Sequence, residues 1–204
     1  MDGQDDRVVP LRPPSGGGMF GPCDEVLAYW EGLRRGRMMP LRSEIDPRGL
    51  LGALDQTFIL ERITGSLARI RLGGLHLVEA MGMEVRGLPF TALFAPEERR
   101  ALGGAVDAVF AGPERLDLDV LRDGFGPARM ILAPLRSDLG DATRAIGCLV
   151  APGGAADAPT RLRLRGVART DLFTGERRHD LGASFAEIPP EAGARPPKLT
   201  LVKD

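Results

Sequence analysis

The 204-residue chain is poor in most of the residues that give a sequence an immediate functional reading. It has two cysteines, Cys23 and Cys148, far apart, with no CxxC partner and neither beside a histidine, which argues against a disulfide framework or a structural zinc site. It has no excess charge: 27 Lys+Arg stand against 28 Asp+Glu, a net of -1. Bulk electrostatics therefore supply no reason to bind nucleic acid or an anionic membrane. No apolar run approaches the ~18 residues of a spanning helix. The start, acidic at Asp2, Asp5 and Asp6, lacks the basic-then-apolar layout of a secretory signal. The expectation is a cytoplasmic protein. Lysine is confined to Lys198 and Lys203, and the arginine that replaces it elsewhere is read as coding bias.

Catalytic motifs are missing too. No GxGxxG follows a strand and opens a helix, no GxxxxGK[ST] occurs, and there is no GxSxG nucleophile elbow. The sequence predicts no enzyme.

What is present is enough for a core, with 43% hydrophobic residues, and a glycine and proline content (27 and 17) that must be concentrated somewhere. Residues 1–21 hold Pro10, Pro13, Pro14 and Gly16-Gly17-Gly18 with nothing apolar in register, so they read as a flexible tail. Val26, Leu27, Trp30 and Leu33 then fall on one helical face, giving a helix over 23–35 that Gly36 ends. After turns at Pro40 and Asp46-Pro47, Thr57–Leu60 is a strand. Gly65-Ser66 turns it into a second strand, Leu67–Leu72, whose Ala68, Ile70 and Leu72 alternate with arginines.

Leu75, Val78 and Met81 make a two-turn helix closed by Gly82. Pro96, Glu97 and Glu98 open the clearest helix, with Leu102, Ala105, Val106, Val109 and Phe110 on one face and Gly112-Pro113 at its end. Three strands follow around Leu116–Val120, Met130–Pro134 and Ile146–Val150, joined by turns at Asp123–Gly126 and Asp138–Asp141. Residues 152–204, rich in Pro, Gly and Arg, read as a mostly irregular tail. The predicted organisation is tail 1–21, domain 22–151, tail 152–204. The fold class is α+β, a five-stranded antiparallel sheet with helices on one face, behind an amphipathic leading helix.

That connectivity is the one found in PAS domains, and particular residues narrow it. Trp30 and Leu33, Pro40-Leu41-Arg42, Asp46-Pro47, Arg69, Arg71 and Gly73, Gly82 with Glu84, Arg86 and Gly87, and later Pro134-Leu135 and Gly147 stand in order. Together they resemble the PAS_5 family, a PAS-like group of stand-alone alphaproteobacterial proteins, over roughly residues 25–151. Gly74 departs from the pattern, where a small polar residue, often threonine, is expected. The resemblance implies a sensory or protein-interaction module and supplies no catalytic residue.

Candidate functional residues are few. His76 is the one histidine placed where it could ligate a haem, although a lone histidine without a second ligand reads first as a surface or cap residue. Cys148 lies on the last strand and reads as a small packed hydrophobe. Arg161, Arg163, Arg165 and Arg169 form a basic run that reads as a solvated segment. Phe58, Leu60, Ile70 and Leu72 from the first hairpin, with Val106 and Phe110 from the long helix, are expected to line a core or cavity. Met130, Leu132, Ile146 and Cys148 should complete it from the later strands.

Polar anchors are scarce in that set, so no resident cofactor is expected. Val26, Leu27, Trp30 and Leu33 must bury against either the chain's own sheet or a second copy. The second option predicts a homodimer through the leading helix. The expected function is a PAS signalling adaptor acting on a protein such as a kinase. A haem- or small-molecule-binding PAS receptor is the alternative.

Overall fold

Helix α1 (Gly21–Arg34) opens the part of the chain that the computed structural model describes, residues 18–180. The first-tail prediction at 1–17 and everything after 180 lie outside those residues. Pro22 suits the first turn of α1, whose N–H groups have no helical acceptor. Arg35 and Gly36, both at positive φ (48° and 81°), end it.

Three short 3-10 turns, Arg42–Glu44, Pro47–Leu50 and Leu54–Gln56, lead into the hairpin β1 (Thr57–Thr64) and β2 (Leu67–Gly73). Helix α2 (Leu75–Met81), two more such turns and α3 (Arg99–Ala111) cross over to β3 (Glu114–Arg122), β4 (Gly126–Leu135) and β5 (Arg144–Val150). These elements match the expected order.

The sheet does not stop at five strands. The chain returns as β6 (Leu162–Asp171) and β7 (Arg177–Asp180), so the antiparallel sheet has seven strands in the order β2-β1-β5-β4-β3-β6-β7. The region predicted to be irregular thus supplies two strands. The cause is visible in β6: Leu162, Leu164 and Val167 bury against the α3 side, with arginines between them. One residue, Arg165, is left over where Asp119 pairs with Gly166 and Val120 with Leu164, and this bulge keeps both Leu164 and Val167 inward. Glu114 of β3 anchors the extension, with Arg178 of β7 at 3.0 Å and Arg169 of β6 at 3.6 Å.

Both faces of the central strands are covered. The inner face packs against α2, α3 and the crossing turns, where Phe90 stacks on Phe58 (centroids 5.9 Å apart) and meets Phe94 at 5.7 Å. The outer face carries a second core of Ile59, Ile131, Ala133, Leu135, Ile146 and Cys148 beneath α1. Cys23, Val26 and Trp30 of α1 are fully buried there. Asp24 in its first turn reaches Arg129 of β4 at 2.7 Å, and Arg129 in turn forks onto Asp117 of β3. The leading helix therefore buries its stripe against its own sheet. Val26 and Trp30 have no surface left for a second copy, which corrects their assignment to a dimer contact; Leu27 and Leu33 are half-buried.

Candidate functional site

The inner face was the expected cavity. Phe58, Leu60, Ile70, Val106, Phe110, Met130 and Leu132 all belong to its core, each 5% exposed or less. Phe90, Phe94, Val85, Leu93, Leu77 and Met81, contributed by the crossover, pack among them.

Three of the expected lining residues lie elsewhere. Ile146 and Cys148 face α1, while Ala145, Gly147 and Leu149 hold the inner side of β5. The strand reads Ala-Ile-Gly-Cys-Leu, apolar or small throughout because both of its faces are buried, so its sequence carries no parity signal. A Cβ at Gly147 would run into the Phe58 ring and approach Leu132 to 2.9 Å, so β5 must present its glycine there. Leu72 is also displaced. Ile59 pairs with Leu72 but Leu60 pairs with Ile70, leaving Arg71 as an extra residue that turns Leu72 to the outer face, 47% exposed.

That displacement helps to build one of two surface clefts of similar size. Below the outer end of β1 and β2 lies a cleft of about 250 Å³ lined by Ile45, Pro47, Leu50, Leu54, Ile59 and Leu72, with Arg42 and Asp55 as polar members. Its volume is below the ~300–1,000 Å³ of ordinary small-molecule sites. Leu54 and Leu72 in its wall are 41% and 47% exposed, and Leu51 and Leu75 in adjoining segments are 75% and 58% exposed. Solvent-facing leucines beside a cleft differ from the singly scattered apolar residues of an ordinary surface. Arg42 in its wall carries no ion pair among the described residues. Gly74 explains its departure from the expected pattern: a Cβ there would strike the backbone carbonyl of Asp55, so the turn beside the cleft has room only for glycine.

His76, on the first turn of α2, is partly buried. Its Nε2 accepts a hydrogen bond from the backbone N–H of Ala151 at 3.1 Å, and burial pulls its pKa below the usual imidazole value. The nitrogen a haem iron would take is thus already engaged, and the inner face it would need to enter is filled by phenylalanines. The residues present do not fit a haem. Among the described residues no group of three or more His, Cys, Asp and Glu could hold a metal ion, and no helix is long and apolar enough to cross a membrane.

Nothing in the sequence singles out Arg122. Its side chain is fully buried, its NH1 donates to the carbonyls of Pro152, Gly153 and Gly154 at 2.8, 2.8 and 2.9 Å, and its guanidinium stacks 3.6 Å from the Phe125 ring centroid. Only the tight turn at Gly153-Gly154 (φ 78° and 40°) brings three successive carbonyls to one nitrogen. This clamp holds the connector that carries the chain from β5 to β6. The arginine run has no common face: Arg163 meets Asp123 and Glu97, Arg169 meets Glu114, Arg161 lies against Met83, and Arg165 borders the second cleft, of about 260 Å³, with Asp119 and His179.

Strands β2-β1-β5-β4-β3 with a helical crossover packed on one face are the architecture of a PAS domain, a sensory and signalling module. Residues 21–150 match the PAS_5 family profile, described as a PAS domain, and the chain belongs to that family. No curated protein matches the chain.

Proposed function

We propose that this chain is a regulatory adaptor, a PAS module whose output is the binding of another signalling protein, such as a kinase, at the outer-face cleft. The observation that supports this reading is the contrast between the two sides of the β1–β2 region. The inner side is filled by the chain's own phenylalanines, and the outer side leaves Leu51, Leu54 and Leu72 exposed beside Arg42, which carries no ion pair among the described residues. The fitting partner segment is amphipathic, with apolar residues for the cleft and an acidic residue for Arg42.

The test begins with co-purification from the native cell and identification of the bound protein, followed by reconstitution of the binary complex from purified components. The Leu54→Glu/Leu72→Glu double variant should melt like the wild type and lose the complex. Undiminished binding by the double variant would remove the cleft from consideration. A Soret band in the purified protein, abolished by His76→Ala, would replace the adaptor with a haem receptor.

A further inference from the structure

Cys23 and Cys148 are 125 positions apart, yet the fold seats them against each other. Cys23, in the first turn of α1, directs its thiol at the carbonyls of Arg129 (3.6 Å) and Cys148 (3.8 Å). The neighbouring Cys23 thiol, together with burial, raises the pKa of Cys148. Both are free and fully buried in the outer core between α1 and β5. Packing alone asks only for two small hydrophobes here; two cysteines that meet across a helix–sheet junction, one thiol 3.8 Å from the other residue's carbonyl, can also be joined.

We propose that Cys23 and Cys148 form an intramolecular disulfide when the protein meets a peroxide, locking the leading helix onto the central strand of the sheet. Cys23 is the residue attacked first. It lies two residues inside the start of α1, where a helix end opens at least cost. Cys148, held in a strand with neighbours on both sides, stays in place.

The Cys23 thiolate takes one oxygen from hydrogen peroxide, the O–O bond breaking to release hydroxide, and becomes a sulfenic acid. On reclosure the Cys148 sulfur attacks the Cys23 sulfur, the S–O bond breaks, and its oxygen leaves as water with the Cys148 proton. In sum, two thiols and one peroxide give one disulfide and two waters.

The test uses the native wild-type chain in excess hydrogen peroxide, quenched with catalase, denatured and alkylated. The expected product is monomeric on a non-reducing gel, lighter by two hydrogen atoms, without alkylatable thiol, and yields one proteolytic pair joining Cys23 to Cys148 that dithiothreitol separates. Hydrogen exchange across residues 21–34 should be several-fold slower in the oxidised protein than in the reduced one. Cys23→Ser should leave Cys148 alkylatable at an unchanged rate of peroxide exposure, and Cys148→Ser should accumulate oxygen on Cys23. Retention of both thiols, addition of oxygen to each without a link, or a disulfide between two chains would each overturn the proposal.

Discussion

The indole N–H of Trp30 donates to the backbone carbonyl of Pro134 at 2.9 Å, tying the middle of the leading helix to β4 across 104 residues of chain. Trp30 is the only tryptophan and is completely buried, so its emission reports directly on the helix–sheet junction. Trp30→Phe keeps most of the apolar contact but leaves the carbonyl without its donor. It should cost about 1–3 kcal/mol in urea unfolding followed by far-ultraviolet circular dichroism. Trp30→Ala should cost more, about 3–5 kcal/mol, by opening a cavity under α1. A cost near zero would mean that the helix is not seated on the sheet.

Arg122 should act locally before it acts globally. In Arg122→Met the carbonyls of Pro152, Gly153 and Gly154 lose their shared donor. The connector should loosen, with amide exchange rising first across 152–160 and β6 and with a global loss of about 1–3 kcal/mol. Exchange that rises uniformly through β1 and β5 would show that the clamp has no special role in seating β6.

His76 should give the protein an acid-side sensitivity. Burial lowers its folded-state pKa below the unfolded value of about 6.5. The unfolded chain therefore takes up the proton first, and stability falls as the pH drops through the unfolded value, levelling off below the folded one. Protonation also removes the lone pair that accepts from Ala151. The difference in urea midpoint between wild type and His76→Gln should shrink or reverse between pH 8 and about pH 5. A difference constant over that range would contradict the assignment.

Gly74 should tolerate nothing larger. The added Cβ meets the Asp55 carbonyl, part of the backbone, which cannot step aside as a flexible side chain can. Gly74→Thr, the residue type expected at this place in the family, should lower the unfolding midpoint and change the environment of Leu54 and Leu72. Gly104→Ala, in open space on α3, is the control and should be neutral or slightly stabilising. Equal melting of Gly74→Thr and wild type would show that the turn readjusts freely.

The elements themselves were legible where the pattern is local. Apolar spacing marked α1, α2 and α3, and glycine or proline marked their ends, because a helix writes its buried stripe into adjacent turns. The inner residues of β1, β3 and β4 followed from alternation. Strand β6 also carries that alternation, Leu162 and Leu164 between Arg161, Arg163 and Arg165. Its arginines drew the reading toward a solvated basic run, since sequence does not show that Asp123, Glu97 and Glu114 wait on neighbouring segments.

The candidate site was less legible than the fold. The exposed leucines exist as a group only because a bulge at Arg71 reverses Leu72 and because Gly74 allows the Asp55 turn to approach. Arg122 looks like one more arginine until three carbonyls close on it.

By itself the sequence determined the order of helices and strands and with it the PAS connectivity, since each element is written in residues a few positions apart. Tertiary structure decided which face each side chain serves. Strand register is set between chains of atoms distant in sequence, and a single unpaired residue inverts it. That is why Leu72 reached the surface, why Cys148 found Cys23, and why a proline- and arginine-rich extension became the sixth and seventh strands of the sheet.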